Sequence, residues 1–583
     1  MGKVAANSGF DLFAAPNHRV SRLVWSAKYA APGEGDIADT WRRVARAAAS
    51  VEVEPRSWEP RFLSILEGFK FLPGGRILAE ADATRGTSLC NCFAIGEIEN
   101  SNTGVLSALS ETALTLLAGG GVGADFSTLG PRGVQRSDGP PAAGPVAFMK
   151  LWQTAAETFL ANAARRGAMM ATLRCDHPDI EEFIAAKRSP GALSRFNLSV
   201  QITDRFIAAL NSNADWPLVF EDKIARVVGA RRLWSEIARA AYDVGEPGLL
   251  FVDQINRENN LWWRERITTT NPCGEVPLPP HGACDLGSLN LVGFVLEPFT
   301  PKARLDFAGL ATAAGTAIRF LDNVLDLTSF PIASQAAEAL AIRRIGLGIT
   351  GLADALVMLS MTYGDAASLL VARDAMLTIR DAAYAASIAL AREKGSFPAL
   401  DRDRYLEGAF IGRLPAHLRT GIKKHGLRNS HLLAIAPTGS ISLLAGGVST
   451  GVEPIFAGVQ MRTILDERNE PRRVELLDPA LALWRGQGEA QAGGPPGFIT
   501  AQNLPVSAHI DMQAALQPFV DQAISKTWNV SPECSYEEFE AALLGACGRG
   551  LKGLAVFRAN PVREGLLAPG PEAPCTSDAL PCG

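Results

Sequence analysis

The sequence lacks the features that mark several broad classes of protein. Its 583 residues carry a formal net charge of −5, and Lys and Arg form no cluster of the kind that binds nucleic acid or anionic membrane. No apolar run reaches a membrane-spanning length, and residues 1–13 hold no sustained apolar core of an export signal. These absences predict a cytoplasmic protein without nucleic acid or membrane as partner.

The sequence also lacks the cysteine pattern of a disulfide scaffold. Its nine cysteines are an odd number scattered through a long chain, and in a reducing compartment such cysteines are more often catalytic, metal-binding or buried than bridged. Cys90 and Cys92 form a single Cys-x-Cys with few histidines nearby, too few ligands for structural zinc. No metal site is predicted, and the cysteines interpreted as buried spectators are Cys175, Cys534 and Cys547.

The order of apolar and polar residues divides the chain into three parts. Residues 1–72 are predicted to be a helical N-terminal segment, because apolar positions recur three and four residues apart in 40–49. Residues 73–566 alternate short strand-like runs with helical stretches, which predicts an α/β catalytic domain but does not separate an open sheet from a barrel. Residues 567–583 are rich in Pro and small residues and are predicted to be a flexible tail.

Two loops have residues suited to binding phosphate. The run 118–126 contains a glycine cluster whose backbone N–H groups could converge on an anion, although a tight structural turn explains the glycines equally well. The run 434–442 predicts a buried strand, a turn and a helix with hydroxyl side chains at its start. That arrangement favours anions, and ordinary helix capping is the alternative.

The run Asn271-Pro-Cys-Gly-Glu275 has the residues of an active site. Cys273 lies two residues from a carboxamide and two from a carboxylate, so in an extended loop all three side chains emerge on one side. A carboxylate can act as general base, an amide can hold a hydroxyl, and cysteine supplies a reactive sulfur. A Pro- and Gly-containing turn around a buried cysteine is the alternative.

This motif, followed by Cys284-Asp-Leu-Gly-Ser-Leu-Asn-Leu, resembles the catalytic loop and next strand of cobalamin-dependent (class II) ribonucleotide reductases. Blocks similar to the same family occur in family order from about residue 20 to residue 566. They include Asn91-Cys-Phe, the glycine loop with the run 125–133, and the runs 165–180, 196–200, 344–354, 436–442 and 517–527.

The resemblance implies a fold and an activity. The implied fold is a ten-stranded α/β barrel of two five-stranded halves, with Cys273 on a central finger loop. The implied activity is reduction of ribonucleotides, expected to be diphosphates, to 2′-deoxyribonucleotides for DNA synthesis and repair. Adenosylcobalamin is the implied cofactor and would initiate a thiyl-radical mechanism.

The resemblance also implies roles for individual residues. Cys273 would carry the thiyl radical, Glu275 would accept the proton of the 3′ hydroxyl, and Asn271 would hold the sugar. Cys92 and Cys284 would supply two electrons and a proton and end as a disulfide. The tail cysteines Cys575 and Cys582 would reopen that disulfide by exchange, with thioredoxin or a similar dithiol as the final reductant.

Further positions are expected to bind nucleotides. In related enzymes the loop 188–196 relays effector identity to the substrate, and Arg195 is the candidate reporter here. An acidic residue is expected near the ribose of a deoxynucleotide effector, but Asn100 stands in its place. The predicted substrate-binding residues are Asn91, Gly120, Gly121, Gly123, Ser199, Pro437, Thr438, Gly439, Ser440 and Ile441.

One further absence distinguishes between the ways a reductase obtains its radical. The iron-dependent class uses adjacent tyrosines, but Val556 and Phe557 occupy the matching positions and none of the six tyrosines adjoins another. No radical-generating second subunit is therefore expected, whereas a homodimer is. Two rival hypotheses remain: a nucleotide-binding protein that has lost catalysis, and a thiol oxidoreductase acting on proteins.

Overall fold

A computed structural model of the protein describes residues 18–82, 88–135, 140–160, 167–189, 191–466, 470–487, 494–558 and 568–569. The tail cysteines Cys575 and Cys582 lie outside these residues. Short 3₁₀ turns occupy Glu67–Phe69, Leu291–Phe294, Ala501–Asn503 and Gln517–Phe519.

Helices and strands alternate over most of residues 71–257, whereas three helices follow one another before residue 67 and six do so between residues 352 and 444. The helices are α1 (His18–Lys28), α2 (Ile37–Ala49), α3 (Pro55–Leu66), α4 (Gly75–Glu80), α5 (Asn102–Leu117), α6 (Pro145–Phe159), α7 (Ile180–Ala185), α8 (Asp204–Asn211), α9 (Ala230–Val244), α10 (Val252–Arg257), α11 (Phe307–Leu327), α12 (Ala333–Ile342), α13 (Leu352–Met358), α14 (Ala366–Lys394), α15 (Arg402–Glu407), α16 (Ala409–Gly412), α17 (Ala416–His425), α18 (Gly439–Leu444), α19 (Pro479–Gly486), α20 (Val506–Leu516) and α21 (Tyr536–Ala546). The strands are β1 (Phe71–Pro73), β2 (Cys92–Ala94), β3 (Gly121–Asp125), β4 (Met169–Arg174), β5 (Phe196–Ile202), β6 (Asp215–Phe220), β7 (Lys223–Gly229), β8 (Gly248–Phe251), β9 (Thr269–Thr270), β10 (Pro277–Leu278), β11 (Ala283–Asn290), β12 (Val295–Leu296), β13 (Arg304–Leu305), β14 (Ile345–Thr350), β15 (Val459–Leu465), β16 (Pro471–Leu477), β17 (Thr527–Val530), β18 (Gly553–Arg558) and β19 (Ala568–Pro569).

The N-terminal part is helical as far as residue 66. Helix α2 begins at Asp36, whose side chain accepts from the backbone N–H of Asp39 while the Asp39 side chain accepts in return. This capping box satisfies N–H groups that have no partner inside the helix. The predicted boundary at residue 72 falls inside β1, because Phe71 and Leu72 pair with β11 and so belong to the large sheet.

The large sheet contains ten strands in the order β1-β11-β2-β3-β4-β5-β8-β18-β17, with β14 also paired to β11. Strands β2, β3, β4, β5 and β8 run parallel, and so do the pairs β11 with β14 and β17 with β18. Antiparallel pairing joins β11 to β2 and β18 to β8. The described residues form no continuous ladder between β14 and β17, but two isolated parallel bridges lie there, Leu347 with Leu433 and Ile435 with Ile524.

Helices cover the sheet and create two large apolar cores. One core joins α1–α3, α11 and α14 to β1, β11 and β14, and the other joins α5, α6, α9 and α21 to β3–β5. A third, small buried cluster contains Cys92, Cys284 and Val276. Strands buried on both faces read as near-continuous apolar runs, as β4 does. Among the described helices, none is both long and apolar enough to span a bilayer.

Candidate active site

The catalytic motif predicted from the sequence forms the turn of a short hairpin. Strands β9 and β10 pair antiparallel, and the Val276 carbonyl accepts from the Asn271 N–H at 3.1 Å. The Gly274 N–H donates to the Asn271 carbonyl at 3.0 Å, and Gly274 has a φ of +83°, which glycine adopts without strain. Cys273 therefore lies exposed at the tip of the hairpin.

Residues from two distant parts of the chain hold this hairpin, namely strand β5 and the segment before β17. From β5, the Asn197 side-chain amide donates to the Pro272 carbonyl at 2.7 Å, and Gln201 donates to the Thr268 carbonyl at 2.8 Å. From the segment before β17, the Ala523 N–H donates to the Glu275 carbonyl at 3.0 Å. The position of Cys273 thus depends on strands far apart in sequence.

The glycine cluster makes room for the hairpin. A Cβ added to Gly123 would lie 2.0 Å from the Thr270 carbonyl oxygen, and one added to Gly121 would lie 3.0 Å from the Pro272 ring. Larger side chains would push the hairpin away from β3. Gly123 lies within β3 and not in the predicted turn, and the close approach of Thr270 is what requires glycine there.

The two other thiols lie side by side on neighbouring strands. Cys92 and Cys284 are register partners in the antiparallel pair β2–β11, and both are buried and unbridged. Such partners have Cα atoms about 4.5–5.5 Å apart, within the range that a disulfide spans. The Asn271 amide donates to the Cys92 sulfur at 3.1 Å, which links the pair to the hairpin.

Burial sets the protonation states in this site. It raises the pKa of Glu275 to about 7, although the Asn271 side chain opposes the change, and one carboxyl oxygen of Glu275 accepts no hydrogen bond from the residues that the structure describes. Cys273 is exposed only toward the cavities around it, and the surrounding protein desolvates it; this desolvation, like the burial of Cys92, raises the thiol pKa well above the ordinary value, with the Glu275 charge as a smaller cause. The thiols therefore stay protonated at neutral pH, while Glu275 can gain or lose a proton there.

A cavity of about 330 Å³ lies on one side of Cys273. Cys92, Asn271 and Glu275 line it together with Cys273. Eight of the ten predicted substrate-binding residues also line it: Asn91, Gly120, Gly121, Pro437, Thr438, Gly439, Ser440 and Ile441. Ser199 lines a different cavity, and Gly123 instead contacts Thr270.

The loop 437–441 is held by hydroxyl contacts. The Thr438 hydroxyl lies 2.9 Å from that of Thr350, and Thr438 has a φ of +50°. The Ser440 hydroxyl lies 2.6 Å from that of Tyr29, which belongs to the segment following α1. The N-terminal part of the chain therefore helps to position this loop.

Sequence reasoning missed Arg76, the cationic side chain of the same cavity. Arg76 is buried, lines the cavity and donates from Nε to the Gly119 carbonyl at 3.1 Å. A Cβ on Gly119 would overlap the Arg76 guanidinium, which explains the glycine. The available signal was Gly74-Gly75-Arg76 directly after an apolar strand.

A second cavity of about 330 Å³ also reaches Cys273, and residues of β5, of β18 and of the segment before β17 line it, among them Ser199, Lys526, Val556 and Phe557. A third cavity, of about 430 Å³, shares Phe557 with it. Cys273 thus lies where two separately lined cavities meet.

The predicted effector residues lie away from these cavities. The Arg195 N–H donates to the Gln153 side chain on α6 at 3.0 Å, and Arg195 is half-buried. The Asn100 side chain accepts from the Gly130 N–H at 3.0 Å. Arg195 therefore borders α6, and Asn100 lies just before the start of α5.

Comparisons with known proteins agree with this geometry. A family model described as "Ribonucleotide reductase, barrel domain" matches residues 90–557. The chain belongs to the ribonucleotide reductase family. This confirms the family resemblance seen in the sequence.

Curated ribonucleotide reductases resemble most of the chain. A "Vitamin B12-dependent ribonucleoside-diphosphate reductase" of Mycobacterium tuberculosis is 37% identical over 565 residues, covering 92% of this chain and 77% of the relative. A protein of the same name from Thermoplasma acidophilum is 34% identical over 520 residues, covering 85% of this chain and 65% of the relative. The "Ribonucleoside-diphosphate reductase subunit alpha" of Chlamydia muridarum is 24% identical over 507 residues, covering 76% and 48%.

Proposed function

We propose that this ribonucleotide reductase converts ribonucleoside diphosphates to 2′-deoxyribonucleoside diphosphates with adenosylcobalamin and without a second radical-generating subunit. The observation that carries the proposal is the position of Cys273 between two cavities, one of which is also lined by Cys92, the register partner of the buried Cys284. The names of the relatives from Mycobacterium tuberculosis and Thermoplasma acidophilum support both the cofactor and the diphosphate substrate.

The residues of the first cavity account for each step at the ribose. Cys273, having lost its hydrogen atom, takes the 3′ hydrogen of the sugar and later returns it. Glu275 accepts the proton of the 3′ hydroxyl, a role that suits a carboxyl group whose pKa is about 7. Asn271 orients the sugar by hydrogen bonding.

The thiol pair supplies the reducing equivalents. The bond from the 2′ carbon to its hydroxyl breaks, and the hydroxyl leaves as water with a proton from the pair. Cys92 and Cys284 together lose two electrons and two protons and form a disulfide, for which their register pairing is suited. One proton leaves in the water, and the other proton and both electrons go to the sugar, where a new bond from the 2′ carbon to hydrogen replaces the bond to oxygen. Each turnover then requires that this disulfide be reduced.

The second and third cavities fit a large organic cofactor. They share Pro437, Thr527 and Phe557, and the third cavity contains Arg462 with its guanidinium bonded to the Gln460 side chain. When bound, adenosylcobalamin supplies an organic radical by homolysis of its cobalt–carbon bond. Phe557 would hold it by stacking, while the walls around Cys273 would exclude water.

A closed barrel is the proposed form of the sheet. The bridges from Leu347 to Leu433 and from Ile435 to Ile524 support closure between β14 and β17. A closed barrel would have two parallel five-stranded halves. The hairpin contacts Asn197 of β5 and Ala523 before β17, one residue from each proposed half, as a central finger loop would.

Arg76 and the loop 437–441 are the proposed phosphate site. Arg76 brings a buried positive charge to the cavity that holds the loop, and guanidinium groups match phosphate oxygens in geometry. The hydroxyls of Thr438 and Ser440 add donors. This arrangement would orient the ribose toward Cys273.

Regeneration of the thiol pair is proposed to use Cys575 and Cys582, with thioredoxin or a similar dithiol as reductant. Cys92 and Cys284 are both buried, so a large reductant protein would need an intermediate carrier to reach their disulfide. A reducing cytoplasm is the compartment that keeps such thiols active.

A homodimer is proposed through α5 and α6. These helices pack side by side, with the Trp152 indole N–H donating to the Thr112 hydroxyl at 3.0 Å. Apolar side chains remain exposed on the pair: Leu106, Leu114, Leu117, Leu151 and Phe159. A second copy would bury this face as a four-helix arrangement. Arg195 contacts α6 and Asn100 lies just before α5, so a deoxynucleotide effector site at the interface is part of the same proposal.

The function is tested by assaying the purified chain with adenosylcobalamin, a small dithiol and either a ribonucleoside diphosphate or the triphosphate. The expected result is deoxyribonucleotide formation without another protein, faster with the diphosphate. Cys273→Ala should abolish turnover and retain nucleotide binding, measured by equilibrium dialysis, whereas Cys534→Ala, a thiol outside the site, should remain active.

Substantial turnover by Cys273→Ala would contradict the radical assignment, and absence of any cofactor-dependent product would favour a nucleotide-binding protein. Replacing Cys575 and Cys582 with Ser should stop thioredoxin-supported turnover and spare turnover with the small dithiol. Equal loss with both reductants would contradict the carrier role.

A further inference from the structure

One cationic side chain in the proposed cofactor cavities has no counter-ion. Arg462 belongs to strand β15 and lines the third cavity, of about 430 Å³. Among the residues that the structure describes, no carboxylate pairs with its guanidinium group. The surrounding protein desolvates this group and thereby lowers the pKa of Arg462. A desolvated charge without a partner is unfavourable, so the third cavity is suited to a ligand that brings an anionic group.

Gln460 holds the Arg462 guanidinium at the wall of this cavity. Residues two apart in a strand point to the same face, and both Gln460 and Arg462 line the cavity. The side-chain carbonyl of the buried Gln460 accepts from Nε of Arg462 at 3.2 Å and from Nη2 at 2.9 Å. Nη1 donates to none of the described residues, so its N–H groups are available to a ligand.

The acidic residues of the same cavity interact with other groups. Glu453 is paired with the ammonium group of the buried Lys526. Asp478 is buried beside Asp354, and burial together with the Asp354 charge raises the pKa of Asp478 well above its ordinary value, which favours the protonated form. Of the charges in this lining, that of Arg462 is therefore the one that the described part of the chain leaves uncompensated.

The chemistry of cobalamin indicates which of its groups would pair with this cation. The side chains around the corrin ring are neutral amides, whereas the nucleotide tail is attached through a phosphodiester, which is anionic. Guanidinium nitrogens match phosphate oxygens in geometry and charge. The phosphate of the substrate is assigned to Arg76, which lines a different cavity. The two cavities thus offer one guanidinium group to each of two phosphate-containing ligands.

We propose that Arg462 binds the phosphodiester of the cofactor's nucleotide tail and so selects corrinoids that carry this phosphate. The inference rests on the proposed function, because it assigns a residue within the cavities already proposed for adenosylcobalamin. Pro437, Thr527 and Phe557 line both the third cavity and the second one, which reaches Cys273. A cofactor anchored at Arg462 can therefore extend toward Cys273.

Equilibrium binding of three corrinoids to the full chain, measured by calorimetry in the dark, tests the proposal. Adenosylcobalamin has the phosphodiester and its base, adenosylcobinamide phosphate has a phosphate without the base, and adenosylcobinamide has neither. The unaltered protein should bind adenosylcobinamide phosphate about tenfold more tightly than adenosylcobinamide, the usual effect of one charge-assisted hydrogen bond. Equal affinity for these two ligands would overturn the proposal without any variant.

Replacement of Arg462 identifies the residue responsible. Arg462→Gln should weaken the binding of both phosphate-containing corrinoids about tenfold and leave the affinity for adenosylcobinamide unchanged. Unchanged adenosylcobinamide binding also shows that the cavity of the variant is intact. Arg462→Lys keeps the positive charge without the planar guanidinium and should recover part of the lost affinity. Arg473→Gln removes an exposed guanidinium from the paired strand β16, outside the cavity, and should bind all three ligands like the unaltered protein.

Two results with Arg462→Gln would overturn the inference alone. One is unchanged affinity for the phosphate-containing corrinoids. The other is equal weakening of all three ligands, because the side chain would then act on the corrin ring or on the shape of the cavity. Failure of the unaltered protein to bind any of the three would overturn the cofactor assignment as well as this inference.

Discussion

Replacing Glu275 with Gln should make the stability of the protein less sensitive to rising pH while removing its activity. Glu275 is buried, and its pKa is about 7 instead of 4.5. The folded protein therefore binds this proton more tightly than the unfolded chain does. Stability conferred by the protonated carboxyl is fully present below pH 4.5, and it decreases as the pH rises from there through about 7.

The magnitude follows from the two pKa values. Complete ionisation of a group whose folded pKa is about 7 and whose ordinary pKa is 4.5 costs roughly 3 kcal/mol. Between about pH 5 and about pH 8.5, roughly 2.5 kcal/mol of that cost is incurred. The Gln side chain cannot ionise, so the variant does not lose this free energy of unfolding as the pH rises. Any other effect of the amide on stability is the same at both pH values.

Urea unfolding of both proteins at the two pH values measures this difference. The free energy of unfolding of the variant, relative to the unaltered protein, should increase by roughly 2.5 kcal/mol at the higher pH. Glu407→Gln, which removes an exposed carboxyl, should show no such change. Parallel loss of stability in the Glu275→Gln and unaltered proteins would refute the buried, proton-binding state of Glu275.

The remaining predictions concern the hairpin and the dimer. Gly123→Ala should lower kcat strongly in steady-state kinetics, because its Cβ would lie 2.0 Å from the Thr270 carbonyl oxygen and displace the hairpin. Gly412→Ala is the control: no atom lies within 4 Å of the added Cβ, so its kcat should be nearly unchanged. Leu114→Asp should shift the protein toward monomer in sedimentation velocity, whereas Leu370→Asp, equally exposed on another helix, should not; a monomeric unaltered protein would contradict the proposed interface.

Several features could be predicted from the sequence because they depend on local chemistry. The nearness of Cys273 to an amide and a carboxylate follows from the residues at 271–275, although these residues form the turn that was the alternative to the predicted extended loop. The helical start of the chain follows from apolar spacing and from the cap at Asp36. The family followed from blocks of residues in a shared order, which the comparison with known proteins confirms.

Other features depend on contacts between distant parts of the chain. The sequence left a phosphate cradle or a tight turn for the glycine cluster, and only the folded structure shows that Gly123 lies in a strand and makes room for Thr270. Arg76 was missed because its local signal, Gly74-Gly75-Arg76 after an apolar strand, does not indicate that the side chain reaches Gly119 and the substrate cavity. The identity of one residue in a loop does not indicate which strands pack against that residue in the folded protein.

The sequence by itself determined which chemical groups this reductase possesses: a thiol between an amide and a carboxylate, two further thiols, and no adjacent tyrosines. Only the tertiary structure decided how those groups work together. Cys92 and Cys284 become neighbours through the pairing of β2 with β11, and Glu275 acquires a pKa of about 7 through burial. Pairing and burial arise from the packing of the whole chain, which no local pattern of residues contains.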